Sequence, residues 1–539
     1  MKASHVALLN RLPFTARRVL EVGGVHGFPA SAYLRRNPSA TYVFPTADKQ
    51  LAAQLKLGSA VIYQGAVESA RVMSLLKKRA PFDVLVLHAD GPDDTILCQR
   101  LALLAPLLSD EVACVVSLIN INANIAEVVG PAKEPTAHQS LLRSRMKRLA
   151  NVLLSAGWRM IDAQLPTVAV NESDSETRQE CIVRITRASQ PAREVLPVAA
   201  LGLKKVGGVT HARVDFPMAA LRAEPYTRVV WDAEKIAIPK DMPPGILVLH
   251  RFVVNPNHPL LQAVEDYSRR GWIVVLDFDD DPRFWPEIVA SKFYGFHAVH
   301  AVSVSTPALA HLIGAWNSEV KVLPNAIFEI PNLAAETNDV GLGRRLRIFY
   351  GAFNREQDIA EVAPSLLSMF EHYADDIEIE VILDKRFYEQ LPTTVTARFH
   401  PLVSFEQYQQ LLSSCDLALL PLRDTEFNRC KSDLKFIECC AAGVIPVCSR
   451  VVYGEEEDHL AIGVFPDSVD AWGKAIEALI TDSKVLQHKK KLARDYVVTK
   501  RLHAQGVSER ETWYRSLLSQ RVELEKNRQS RIAALATLA

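Results

Sequence analysis

Cys415 to Arg450 reads CDLALLPLRDTEFNRCKSDLKFIECCAAGVIPVCSR, and the fold is decided there. Leu417-Ala418-Leu419-Leu420 is a short apolar run ended by Pro421, the pattern of a buried parallel strand. A polar loop, Arg423 to Lys431, follows. Ser432 is placed to cap a helix, with Asp433 in its first turn, where the positive end of the dipole favours a carboxylate. Gly443 stands where the helix needs a left-handed terminal residue, and Val444 to Val447 is the next buried strand. Leu434, Ile437 and Ala441 mark the sheet-facing stripe, while Lys435 and Glu438 lie one turn apart on a neighbouring face. Strand, loop and helix in this order bring charged groups to the carboxyl edge of a parallel sheet, where open α/β folds bind ligands.

The run NRCKSDLKFIECCAAGVIPV (Asn428–Val447) resembles the donor-site signature of GT-B glycosyltransferases, in the branch grouped as glycosyltransferase family four, or glycosyl transferases group 1. The resemblance implies that Glu438 binds the ribose hydroxyls of a nucleotide sugar. It also implies that Lys435 faces the diphosphate or the transferred sugar, within reach of the chemistry. The family's fuller motif has a second glutamate where this chain carries Cys430. That role then passes to Glu426 or Asn428, or is absent.

Composition sets wider bounds. A chain of 539 residues is too long for one core and suggests three domains. With 48% hydrophobic and 23% charged residues it is globular. Lys plus Arg equals Asp plus Glu at 62 each, which argues against a nucleic-acid binder relying on a basic surface. No apolar run approaches the roughly 18–20 residues of a membrane span, and the start, MKASHVALLNRLPFTARR, does not read as a signal peptide. None of the eight cysteines forms a C-x-x-C pair, so reduced thiols in a cytoplasmic protein are expected, with no metal centre.

Residues 1–190 alternate strands and helix-length segments, giving a doubly wound sheet. Their order resembles an S-adenosylmethionine-dependent methyltransferase fold. Glu21, Gly23 and Gly27 fit that family's first loop, but Val25 stands at its middle glycine. Phe44-Pro45-Thr46 replaces the ribose-binding acid, with Asp48 further along, and Asp90 matches a later acidic motif. Such a degenerate loop suits a docking, acceptor-recruiting or dimerising domain, with methyl transfer left open.

Residues 191–206 lose periodicity and read as a linker. The acceptor-side half follows at 207–335, with a strand at Val209 to Val214, another ending at His250-Arg251, and a third ending in Asp277-Phe278-Asp279-Asp280-Asp281. The acidic run has three readings: a metal cluster, a strand-end cap, or an acceptor-side role. The resemblance aligns Asp279 with a catalytic position at the cleft, so Asp279, with Asp280 second, is the candidate to orient or deprotonate an acceptor hydroxyl. Arg213 and Arg251 are candidate contacts to acceptor or phosphate. The STPAL and VLPNA pieces are similar to the same glycosyltransferase family, where they precede an interdomain linker, here 328–342.

The donor half is expected at 336–525 and a solvated helical extension at 526–539. Its first strand, Arg347 to Tyr350, runs into Gly351-Ala352-Phe353-Asn354-Arg355, a small-residue turn suited to presenting backbone N–H groups to phosphate. Arg355 is a candidate bidentate partner of the diphosphate, and Lys431 or Lys435 supplies the second cation. The expected fold class is therefore α/β: three Rossmann-like doubly wound domains, a methyltransferase-like layer followed by a two-domain GT-B glycosyltransferase.

The resemblance implies a glycosyltransferase of hexosyltransferase type, moving a sugar from a nucleoside diphosphate sugar to a glycan, lipid-linked or protein hydroxyl, with retention. The donor-binding set is Gly351, Asn354, Arg355, Asn428, Lys431, Lys435 and Glu438. No cofactor is needed for sugar transfer, and S-adenosylmethionine stays open for the first domain. Partners would be the sugar donor and its acceptor, without nucleic acid, leaving room for peripheral membrane contact and for a homo-oligomer through the N-terminal domain. Two other classes remain: a bifunctional enzyme that also methylates the glycan, and a non-catalytic binding protein that kept the fold.

Overall fold

Runs of Val, Ile and Leu, each followed by a helix-forming segment, assemble into three sheets in a computed structural model of the chain. It describes residues 6, 8–23, 30–46, 60–64, 66–90, 94–119, 135–164, 181–191, 193–202, 208–232, 238–256, 259–331, 344–351 and 355–537. The chain forms two compact units, one of residues 1–196 with 219–228 and one of residues 197–218 with 229–539.

The first unit holds β1 (Arg18–Val22), β2 (Thr41–Thr46), β3 (Ala60–Gln64), β4 (Phe82–Asp90), β5 (Leu108–Ile119), β6 (Trp158–Gln164) and β7 (Cys181–Arg187). Their order is β3-β2-β1-β4-β5-β7-β6, with β7 antiparallel to both neighbours and the pairings from β3 to β5 parallel. Glu224 belongs to this unit: its carboxylate accepts from Phe14 N at 2.8 Å and Thr15 Oγ1 at 2.9 Å.

The second unit carries two sheets. One contains β8 (Leu196–Gly202), β9 (Thr227–Asp232), β10 (Ile246–His250), β11 (Ile273–Phe278), β12 (Ala301–Val304) and β13 (Val320–Val322), in the order β13-β12-β11-β10-β8-β9. The other contains β14 (Leu346–Gly351), β15 (Ile377–Ile382), β16 (Thr396–His400), β17 (Leu417–Leu420) and β18 (Ile445–Cys448), in the order β16-β15-β14-β17-β18 and parallel throughout. This is the pair of Rossmann-like layers that the resemblance implies, and β17, its helix Leu434–Ala442 and β18 occupy the stretch quoted first.

Several expectations change. Leu196–Gly202, read as part of a linker, is a strand parallel to β10, because LPVAALG is apolar enough to be buried on both faces. Val209 to Val214, read as a strand, is instead helical, entering the π-helical turn His211–Asp215. The helix after Ser432 is capped at Asp433 without a side-chain cap bond, because Asp433 turns to Arg501 instead. Phe436 through Ala442 are all buried, so the face bearing Glu438 is covered as well as the expected stripe. Gly443 does close this helix, at φ 69°.

The chain end is not a solvated extension. After the Ser483–Lys500 helix the backbone crosses to the first half, where Ile327 N donates to Arg501 O at 2.8 Å and His503 N to Ile327 O at 3.0 Å. The helices His503–Ser519 and Arg521–Thr537 then pack on the β8–β13 half. Trp513 Nε1 donates to Glu319 at 3.3 Å, and buried Arg528 pairs with Glu265 at 2.7 Å and reaches the Ala298 carbonyl. Arg528→Ala should release the last helix and open the chain near Gln520 to limited proteolysis while the upstream unit stays resistant.

His503, at the crossing, is 5% exposed, and its Nε2 has no hydrogen-bond partner. Burial, with Arg510 and Arg213 nearby, pushes its pKa down to about 3. The unfolded chain therefore takes the proton first, at about 6.5. Its stabilising share is complete above that pH and is lost as pH falls toward the folded value, at up to about 1.4 kcal/mol per pH unit. Urea denaturation near pH 7 and near pH 5 should show a smaller acid loss in His503→Phe than in the wild type.

Candidate functional site

β14, β15 and β17 end at one rim of the all-parallel sheet, and there Gly351, Arg355, Lys435 and Glu438 line a single cavity of about 530 Å³. Gly351 has a steric reason: a Cβ there would stand 2.9 Å from the Phe349 ring. Arg355 reaches the cavity from the start of the Glu356–His372 helix, and Lys435 and Glu438 come from the Leu434–Ala442 helix. Gly208, Val209 and His211 of the other half complete the wall, with the His211 ring stacked on Phe405 at 4.5 Å.

Glu438 is 5% exposed, and its Oε2 takes the Tyr408 hydroxyl at 3.1 Å and Lys435 Nζ at 3.4 Å. Arg355 is held by Asp358 at 3.2 Å and by Asn428 Oδ1 at 3.2 Å. Asp358, which sequence reading missed, is buried and also accepts from Asn428 Nδ2 and Arg423 N, both at 3.1 Å. Its place in the first turn of a helix is an ordinary position for an acid, so the chain alone gives no sign of the cluster. Asn428 thus orients Arg355 and does not line the cavity. Asn354 lies outside the described residues.

Lys431 is turned elsewhere. Its Nζ contacts Asp280 Oδ1 at 3.0 Å across the two halves, over the Phe427 ring. Cys430, at the missing glutamate, is buried, with Sγ 3.7 Å from Asp281 Oδ2. Burial, then the Asp281 carboxylate, push this thiol up to about 11, so it stays protonated near neutrality.

The acidic run does not converge on one point. Asp277 pairs with Arg213, Asp279 with Arg251, Asp280 with Lys431 and Asp281 with Arg283. Among the described residues no group of three His, Cys, Asp or Glu could hold a metal ion. Neither Asp279 nor Asp280 lines the cavity. Burial alone would raise the Asp279 pKa, but Arg251 at 2.6 Å and His250 at 3.2 Å outweigh it and hold the carboxyl far below the usual range. A carboxylate so stabilised is a weak proton acceptor, which disfavours the general-base role expected of it. Arg251, at φ 59°, is occupied by Asp279 and lies near Asp280 and the Trp285 ring.

Arg213 is not available to acceptor or phosphate either. It is 2% exposed, and its guanidinium donates to both Asp277 oxygens at 3.0 and 2.7 Å, to Leu323 O at 2.7 Å and to Asn325 Oδ1 at 3.0 Å.

In the first unit, Glu21 is 1% exposed, and both carboxylate oxygens are engaged by the domain itself: Tyr42 OH at 2.6 Å and His88 Nε2 at 2.9 Å. An acid so occupied does not fit the reading of an S-adenosylmethionine cofactor. Gly27, Val25 and Asp48 lie outside the described residues, as do the side-chain surroundings of Asp90.

No family model and no curated protein matches the chain. Solved structures do. It is similar to S. aureus TarM, in a complex with fondaparinux, alpha-GlcNAc-glycerol and UDP, at 10% identity and TM-score 0.36, over 50% of this chain and 55% of that one. It therefore spans about half the length of that protein. It is also similar to the alpha,alpha-trehalose 6-phosphate synthase of Burkholderia multivorans, at 11% identity and TM-score 0.39, over 64% of this chain and 99% of that one. A third is an alpha-glucosyltransferase in complex with UDP-glucose and DNA containing an abasic site, at 10% identity and TM-score 0.42, over 60% and 99% of the two chains. At these values none of the likenesses bears on what this chain binds. Among the described residues no helix is long and apolar enough to cross a membrane.

Arg213→Met should destabilise the second unit by about 3–5 kcal/mol, because Asp277 is left charged and unpaired in the core. Urea denaturation reads this, and a phosphate-contact role would instead lower ligand affinity at unchanged stability.

Proposed function

We propose that the second unit is a GT-B glycosyltransferase of hexosyltransferase type, moving a sugar from a nucleoside diphosphate sugar to a hydroxyl of a glycan, a lipid-linked carrier or a protein, with retention at the anomeric carbon. The carrying observation is the convergence of Arg355, Lys435 and Glu438 on one cavity of about 530 Å³ at the carboxyl rim of a parallel sheet. Two cations suit the charge that grows on a leaving diphosphate, and a carboxylate in the same cavity suits paired ribose hydroxyls. Gly351 keeps the rim low where phosphate approaches the backbone.

In this reading Lys435 and Arg355 meet the diphosphate, and Asn428 with Asp358 orients Arg355. Lys431 is a cross-cleft tie through Asp280 and reaches the diphosphate only by leaving that pair. Asp279 anchors Arg251 and His250 at the acceptor-side strand ends, and Asp280, the more exposed of the two acids, is the one to meet an acceptor hydroxyl. The protein would act in the cytoplasm. Cys430 favours a second reading, a binding protein without turnover, since its protonated thiol replaces a carboxylate of the family motif.

A thermal-shift panel of nucleoside diphosphate sugars should find a stabilising donor. Glu438→Ala and Lys435→Ala should each weaken that donor about ten- to hundredfold, the loss of a hydrogen bond to a charged group. Sugar release or transfer by the wild type separates the enzyme from the binding protein, and an unchanged shift in both variants removes the proposed site.

A further inference from the structure

Tyr408 was not legible as a site residue, yet it stands between the two charges that matter most. It lies on the Phe405–Ser413 helix, which starts from a Ser404–Gln407 capping box. Its hydroxyl accepts from Lys435 Nζ at 2.9 Å and donates to Glu438 Oε2 at 3.1 Å. The ammonium also sits 4.1 Å from the centre of the Tyr408 ring, which packs edge-to-face with Phe349 at 5.5 Å and against the core of this half. Lys435 and Glu438 approach each other directly only to 3.4 Å, a longer contact than either makes to the phenol. Both contacts to Glu438 fall on Oε2, and Oε1 has no hydrogen-bond partner among the described residues. Burial, with the Glu438 carboxylate beside it, pushes the phenol well above its usual range, so the hydroxyl keeps its proton as a donor.

We propose that Tyr408 is a positioning residue of the donor site: its hydroxyl holds Glu438 so that Oε1 is presented to the ribose hydroxyls, and it thereby makes the site select ribonucleotides over 2′-deoxyribonucleotides. The inference rests on the donor-site reading above. Without the hydroxyl, the nearest partner of the ammonium is the carboxylate itself. The two then close into a direct ion pair, which turns Glu438 from the ribose and draws Lys435 from the phosphate. The aromatic ring alone would keep the packing and the cation–π contact, so the hydroxyl is the separable part.

Tyr408→Phe in the full chain isolates it. Calorimetric titration with UDP and GDP, each against its 2′-deoxy form, reads the effect, and the thermal midpoint reports folding. The wild type should bind one of the two ribonucleotides more tightly than its deoxy form. In the variant that affinity should fall roughly tenfold while the deoxy form changes little, so the ratio of the two Kd values approaches one at an unchanged midpoint. An unchanged ratio, or an equal loss for both forms, overturns the role of Tyr408. Equal binding of ribo and deoxy forms by the wild type also overturns it but leaves the diphosphate site standing. Failure of the wild type to bind either nucleotide overturns the donor-site reading and this inference with it.

Discussion

A carboxylate buried at the rim of a parallel sheet is the constraint around which the second unit is arranged. Glu438 has lost nearly all of its water, and an ionised acid in that position costs several kcal/mol unless donors replace the hydration. The replacement comes from Lys435, one helical turn before it, and from Tyr408, on the helix that precedes β17. The left-handed end at Gly443 lets β18 follow at once, so both helix and strand lie against the same sheet. One buried charge therefore ties local helix geometry to the wall of the cavity.

The acidic strand end shows the same rule with a different outcome. Strand alternation sends Phe278 into the core while Asp277 and Asp279 leave on the other side. Each acid meets a cation from a different element, and the site is neutralised piecewise, without a shared ion. Of these four pairs Asp280–Lys431 crosses between the halves, as the Arg283–Glu426 pair also does, beside the Phe284–Phe427 contact at 4.7 Å and the Asn325–Ser432 hydrogen bond at 2.8 Å. Exposed ion pairs such as Arg283–Glu426 add little. The buried ones decide which side chains remain for a ligand: Arg213 and Arg251 are consumed, and Lys435 and Arg355 face the cavity.

The crossing near Arg501 joins these two regions. Arg501 holds Asp433, at the start of the Leu434–Ala442 helix, and reaches the Asn325 carbonyl of the other half at 3.1 Å. Asn325 in turn accepts from Arg213, the partner of Asp277. The signature helix and the acidic strand are thereby linked through buried polar groups rather than through loops on the surface.

The sequence by itself determined the α/β class, the strand–loop–helix–strand of Leu417 to Cys448, the left-handed Gly443, and the approach of Lys435 and Glu438, because all of these follow from periodicity and spacing within a few residues. It also marked Gly351 and Arg355, since a small-residue turn after a strand is a local signal. Only the tertiary structure decided that β8 belongs to a sheet, that the last helix is packed, and that Arg213, Arg251 and Lys431 are spent on aspartates. It alone brought Tyr408 and Asp358 to the site. The physical reason is range: helix and strand patterns are set by neighbours along the chain, whereas the partner of a buried charge is whichever group folding brings within about 3 Å, from 28 residues away for Arg251 and Asp279 to 151 for Lys431 and Asp280.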